Sequence, residues 1–112
     1  MSLPLSLLVL LIAALLEAGG DAIVRSGLKA PTSFSRAAFF LVGALVLFAY
    51  GYVVNAPPWD FGRLLGVYVV FFFVAAQFIS AVIFHTPPSM STLIGGAFIV
   101  LGGLIISVGN LK

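Results

Sequence analysis

The sequence predicts an all-α integral membrane protein with four transmembrane helices, and its composition, chain length and regular helix breaks support this. Of its 112 residues, 62% are hydrophobic and only 7% are charged, and the mean hydropathy is +1.29. A water-soluble domain carries roughly a quarter charged residues, because its surface must be hydrated. A helix needs about 20 apolar residues to cross a bilayer, so four helices with short connections occupy the whole chain as one domain, residues 1–112.

The composition also excludes several classes of function. The chain has no cysteine, which rules out disulfides and thiolate metal sites. Its net charge of +2 rests on five basic residues that form no cluster, so nucleic acid is not an expected partner. We find no nucleophile–base pair and no glycine-rich phosphate loop, and His85 is the one histidine, placed between two helices. We therefore expect no enzymatic activity, no cofactor and no metal.

The first helix is predicted over residues 3–27. Ser2 can cap its amino end, and Pro4 falls in the first turn, where the missing N–H is tolerated. Gly27 is a candidate for the carboxyl-terminal cap. The absence of a basic segment before the apolar run favours a permanent helix over a cleaved signal peptide.

Glu17 is the most unusual residue of this helix, since it follows thirteen residues without a charge. Asp21, Arg25 and Lys29 continue at four-residue spacing, which keeps these side chains near one face of a helix. A carboxylate among apolar residues is costly and therefore rare without a partner or a function. Asp21 and Arg25 are spaced to neutralise each other, which leaves Glu17 free to bind a proton or a cation.

The second helix is predicted over 37–55 and the third over 62–84, and a double proline follows each of them. Asp60 is placed to cap the third helix. Tyr50, near the end of the second helix, is interpreted as a residue of the membrane interface. Tyr68 in the third helix is a candidate to offer its ring to a cation.

The fourth helix, predicted over 92–109, carries a stripe of small residues. Glycine recurs every seven residues, nearly two helical turns, at Gly95, Gly102 and Gly109 and again at Gly96 and Gly103. In lipid, such stripes let helices approach closely. The partner is either a helix of the same chain or a second chain. We expect a dimer interface, because a four-helix unit has little interior of its own.

The charges specify orientation only weakly. Arg25, Lys29 and Arg36 lie on one side of the membrane, and Arg63 and Lys112 on the other. Basic residues favour the cytoplasmic side, so this small bias allows insertion both ways and a dual-topology, antiparallel dimer.

Three segments together resemble one known family. They are Leu-Glu-Ala-Gly-Gly around Glu17, Gly-Val-Tyr at Gly66, Val67 and Tyr68, and the glycine-rich run 94–106. The chain resembles the small multidrug resistance proteins of the drug/metabolite transporter superfamily. The resemblance implies a bacterial inner membrane protein that forms an antiparallel dimer through its last helix. It also implies that Glu17 binds protons and substrate alternately, and that Gly66 and Val67 lie near a bend in the third helix.

The expected function is proton-coupled exchange or export of a small organic cation or polyamine. The predicted proton and substrate site consists of Glu17, Asp21, Arg25 and Tyr68. The expected partners are membrane lipid, protons, the cation and a second chain, either identical or a paralogue. Two alternatives remain open: a subunit of a flippase for a lipid-linked sugar or polar lipid, and a non-transporting accessory subunit of a larger membrane complex. An apolar groove beside Glu17 would favour the flippase, and a closed salt-bridge network would favour the accessory subunit.

Overall fold

Four long helices form the whole of the described structure, a computed structural model in which residues 1–109 are described. They are α1 (Leu3–Leu28), α2 (Ser33–Val54), α3 (Phe61–Val82) and α4 (Met90–Gly109). Each is long and apolar enough to cross a bilayer, and residues 1–109 contain no strand. The predicted all-helical, multi-pass membrane protein is thereby confirmed. Lys112, one of the basic residues from which we predicted the membrane orientation, lies outside the described residues.

Local capping explains where the helices begin. The Ser2 hydroxyl accepts a hydrogen bond from the Leu5 N–H at 3.3 Å, and the Asp60 carboxylate accepts one from the Arg63 N–H at 3.1 Å. Both caps were predicted from the sequence. Each side chain satisfies one of the free N–H groups that a helix exposes at its amino end.

Helices α2 and α4 begin four and two residues earlier than predicted, because residues that we had not predicted as caps precede them. Helix α2 begins at Ser33, where Thr32 and Ser35 bond each other's backbone N–H groups in a capping box. Helix α4 begins at Met90, and the Ser89 hydroxyl accepts from the Thr92 N–H at 3.2 Å. We had predicted that Gly27 caps the carboxyl end of α1, and this is wrong. Gly27 lies within the helix, against the ring of Phe40.

Helix α1 packs against both α2 and α3. The substantial contacts of α4 are all with α3. Helices α1 and α2 are antiparallel and approach closely at Gly43, where an added Cβ would lie 2.6 Å from Cγ2 of Val24. Helices α1 and α3 run in the same direction. They supply most of the core, whose buried side chains are Leu10, Ala13, Ala14, Ala18, Leu64, Val67, Tyr68 and Ala75, together with Val54 of α2. The molecule measures 19 Å in its thinnest direction, about two helix diameters.

The glycine stripe of α4 divides into two faces. Gly96 lies against the Phe73 ring and Gly103 against Val70, so these two pack on α3 of the same chain. The α3 side chains of the same chain therefore fill the space beside Gly96 and Gly103, and a dimer contact at these two glycines stays a prediction. Gly95, Gly102 and Gly109 have no neighbour within 4 Å of an added Cβ. For these three glycines the dimer interface stays a prediction.

Candidate functional site

Glu17 lies near the middle of α1 and is half-buried. At about 1.5 Å of rise per residue, it is roughly 21 Å from the first residue of the helix and roughly 16 Å from the last. A hydrocarbon core is about 30 Å thick, so a helix crossing it places this carboxylate well inside the membrane. An ionisable group at such a depth is a functional-site candidate, because its charge is expensive there.

Tyr68 holds the Glu17 carboxylate from the neighbouring helix. Its hydroxyl donates a hydrogen bond to Oε1 of Glu17 at 2.7 Å and lies 3.4 Å from the carbonyl oxygen of Ala13. The Tyr68 side chain is only 4% exposed. A hydroxyl–carboxylate bond of this length is strong when the acceptor is charged. It joins α1 to α3 at the level of the acid and fixes the direction in which the carboxylate points.

A second tyrosine, Tyr50 of α2, completes the surroundings of the acid. Its ring centroid lies 5.7 Å from that of Tyr68, and its hydroxyl interacts electrostatically with Glu17. The ring of Phe72 also stacks on that of Tyr68, with the ring centroids 6.2 Å apart. Three helices therefore meet at Glu17, and each contributes a side chain to the site.

The sequence predicted Tyr68 at this site but not Tyr50, which we had placed at the membrane interface. Helix α2 runs antiparallel to α1, and the register that sets Gly20 against Leu47 brings position 50 level with position 17. A tyrosine near a helix end is the usual signal of an interface residue. Only the register and rotation of α2 show that its ring points inward.

The basic residues near the site contact aromatic rings rather than carboxylates. The Arg25 guanidinium and the Lys29 ammonium each lie 5.8 Å from the centre of the Phe84 ring. Residues 1–109 contain no ion pair between Asp21 and Arg25, and none that reaches Glu17. The expected neutralisation of Asp21 by Arg25 is therefore not observed. The ring of Phe84, just beyond the end of α3, attracts the guanidinium by a cation–π interaction instead.

A groove of about 390 Å³, lined by both polar and apolar side chains, lies between α1 and α3, beside the Glu17–Tyr68 pair. Asp21 and Arg25 line it from α1, and Gln77 and Ser80 line it from α3. Its remaining walls are Ala18, Ala22, Phe72, Ala76, Ile79, Phe84 and Thr86. The four predicted site residues thus separate into two neighbouring parts: Glu17 and Tyr68 form the hydrogen-bonded pair, while Asp21 and Arg25 line the groove.

The predicted bend in α3 is the last part of the sequence-based site. Helix α3 is continuous through Gly66 and Val67. Val67 is buried in the core, and Gly66 lies against the side chain of Ile106 in α4. Gly66 thus lets α3 and α4 approach, and its role in a bend stays a prediction.

Comparison with known proteins gives a family but no individual relative. No protein with a curated description matches the chain, and no solved structure matches it. The model of the family described as "Uncharacterised BCR, YnfA/UPF0060 family" matches residues 3–111, a range that includes all four helices. Its members are small four-helix membrane proteins related to transporters of the small multidrug resistance and drug/metabolite types, which supports the resemblance at this coarser level. The chain therefore belongs to the YnfA/UPF0060 family of small four-helix membrane proteins.

Proposed function

We propose that this protein is a proton-coupled transporter of the bacterial inner membrane that exchanges protons for a small organic cation or polyamine at Glu17. One observation carries the proposal. The Glu17 carboxylate lies near the middle of a helix long enough to cross the bilayer, accepts a hydrogen bond from Tyr68, and has no basic side chain paired with it within residues 1–109. A permanently paired acid would be structural, whereas an unpaired one needs a mobile positive charge.

The exchange follows from the cost of leaving the carboxylate charged and empty. A proton and a cation each neutralise Glu17, so the binding of one displaces the other. The Tyr68 hydroxyl can donate to the carboxylate and also to the carbonyl oxygen of the protonated acid. Tyr68 is thus a positioning residue that holds Glu17 in one orientation through both halves of the cycle.

The aromatic rings around the acid suit an organic cation. The rings of Tyr50 and Phe72 both neighbour the Tyr68 ring, and the faces of these rings are rich in π electrons. A cation within about 6 Å of such a ring is attracted to it, more strongly where water is excluded. The rings supply apolar contact for the organic part of the substrate, while Glu17 supplies the opposite charge.

A second chain is part of the proposal, because α4 has a face that nothing in the described chain covers. Gly95, Gly102 and Gly109 share that face, and small residues favour close helix contacts in lipid. The weak charge bias of the chain favours an antiparallel arrangement. The partner is an identical chain or a paralogue of the same length and topology.

The two alternative functions gain no specific support. An apolar groove of about 370 Å³, lined in part by Ile23, Phe34 and Phe39, lies near the connection of α1 and α2 and does not include Glu17. A lipid flippase would need such a groove beside the acid. An accessory subunit would hold Glu17, Asp21 and Arg25 in a closed salt-bridge network, and no such network forms within the described part of the chain.

Proton release on cation addition tests the proposal directly. The purified protein in weakly buffered detergent should release protons when spermidine or tetraphenylphosphonium is added, and Glu17→Gln should not. Asp60→Asn is the matched control, since it also removes a carboxylate but asparagine still caps a helix. Equal proton release from the Glu17→Gln variant would refute the proposal.

A further inference from the structure

The groove between α1 and α3 carries both signs of charge on one wall. Asp21 and Arg25 both line it and both are exposed. They are four residues apart on α1, which corresponds to an axial separation of about 6 Å. An aspartate and an arginine at this spacing usually pair. Here they do not, because Phe84 holds the guanidinium, so each charge is available to a ligand.

The opposite wall adds neutral polar groups. Gln77 of α3 lines the groove, and its amide makes no hydrogen bond to another of the described residues. The Ser80 hydroxyl donates to the Thr86 carbonyl at 3.1 Å, which leaves its oxygen free to accept. An amide and a hydroxyl facing a carboxylate and a guanidinium form a complete set of partners for a polar molecule.

We propose that this groove binds a small zwitterion, with its ammonium at Asp21 and its anionic group at Arg25. This inference rests on the proposed function, whose substrate class it extends from organic cations to molecules that carry an anionic group as well as an ammonium group. The ligand needs charges separated by about 6 Å, the axial distance between the two residues. Lys29, which shares the Phe84 ring with Arg25, adds positive charge beside the anion.

The direction of the groove gives the ligand its orientation. Its inner end is at Ala18 and Phe72, next to the Glu17–Tyr68 pair, and its outer end is at Arg25 and Thr86, where α1 and α3 finish. The ligand therefore enters with its ammonium leading and its anion remaining near the membrane face. Asp21 holds the ammonium one helical turn from Glu17.

The same orientation excludes the headgroup of a bilayer lipid as the main occupant. In an amine-bearing phospholipid the acyl chains point inward, the phosphate comes next and the ammonium lies outermost. A lipid seated here would direct its ammonium away from Asp21, which lies deeper in the membrane than Arg25. A small soluble zwitterion has no such restriction.

Binding of a matched set of probes to the purified full-length protein in detergent, measured by calorimetry, tests the inference. The probes are δ-aminovalerate, which carries both charges, and pentylamine and valerate, which carry one each. Each removed charge–charge contact should lower affinity for δ-aminovalerate about tenfold, so Asp21→Asn and Arg25→Gln should each have this effect. Arg25→Lys should restore most of the affinity, because the positive charge is kept. Asp60→Asn and Arg36→Gln, which remove the same charges outside the groove, should bind as the original protein does.

The single-charge probes identify each subsite. Asp21→Asn should weaken pentylamine and spare valerate, and Arg25→Gln should do the reverse. If δ-aminovalerate binds no better than pentylamine to the original protein, the inference is wrong. It is also wrong if Asp21→Asn leaves the affinity for all three probes unchanged while Arg25→Gln weakens the binding of both δ-aminovalerate and valerate. The groove would then be an anion site of the kind that a lipid phosphate occupies.

The Glu17→Gln variant separates this inference from the proposed function. Its affinity for δ-aminovalerate should stay within a few-fold of the original, because Glu17 does not line the groove. If Glu17→Gln abolishes proton release but the original protein shows no preference for the zwitterion, this inference falls and the proposed function stands. If the zwitterion requires Asp21 and Arg25 while Glu17→Gln still releases protons, the groove is still a zwitterion site, but the proposed function falls and with it the role of the zwitterion as the exchanged substrate.

Discussion

Alanine substitution at Gly102 and at Gly103, two adjacent glycines of α4, should affect the stability of the protein differently. A Cβ at Gly103 would meet Cγ2 of Val70 on α3, closer than real Cβ atoms come, whereas a Cβ at Gly102 would meet nothing within 4 Å. Valine in a helix strongly prefers one rotamer, so Val70 cannot easily turn away. Overpacking of this kind costs about 1–3 kcal/mol. The gain in helix propensity from glycine to alanine is the same at both sites and cancels in the comparison.

We therefore expect Gly103→Ala to be about 1–3 kcal/mol less stable than Gly102→Ala. The assay is reversible unfolding in mixed micelles, followed by circular dichroism, at a protein-to-detergent ratio low enough to keep the chain monomeric. Equal stabilities, or a less stable Gly102→Ala, would refute the packing of Gly103 on α3 within one chain. At higher protein concentration, Gly102→Leu should lower the dimer fraction in light scattering, because that glycine lies on the uncovered face.

Three further predictions concern the site and the helix contacts. Tyr68→Phe should reduce cation-driven proton release more than Tyr50→Phe does, because the Tyr68 hydroxyl donates a hydrogen bond of 2.7 Å to Glu17; equal loss in the two variants would contradict this role. Gly43→Ala should destabilise the α1–α2 contact by about 1–3 kcal/mol in micelle unfolding, since its Cβ would lie 2.6 Å from the Val24 side chain; Gly51→Ala, with open space around it, is the control and should not. Asp60→Ala should cost about 1 kcal/mol in the same assay through loss of the α3 cap, and an unchanged stability would show that another group replaces it.

The helix boundaries show how far local rules reach. Ser2 and Asp60 were recognised as caps because each stands directly before an apolar run. The starts of α2 and α4 were placed too late, because Thr32 and Ser89 lie in stretches where several hydroxyl residues compete for the capping position. Capping depends on which hydroxyl meets a free N–H, and the sequence of such a stretch does not distinguish them.

The site was predicted in part. Glu17 stands out in any reading of the chain, because a charge in the middle of an apolar helix has few structural explanations. Its hydrogen bond with Tyr68 depends on α1 and α3 running in the same direction at the right register. The contact of Arg25 with Phe84 depends on where α3 ends, which neither residue reveals alone. The four-residue spacing favoured an ion pair between Asp21 and Arg25, but in the structure Arg25 contacts the ring of Phe84 instead.

By itself the sequence determined that this protein lies in a membrane, that it has four membrane-spanning helices, and that Glu17 follows a long uncharged stretch of the first helix. These follow from composition and from the length of a helix, which are properties of the chain alone. The tertiary structure decided which faces meet: Tyr50 turned toward Glu17, and Gly96 and Gly103 turned toward α3 while Gly95 and Gly102 turned away. The physical reason is that lipid tails are as apolar as a protein interior, so hydropathy does not tell a buried face from one in contact with lipid. Close packing and hydrogen bonds between helices make that choice.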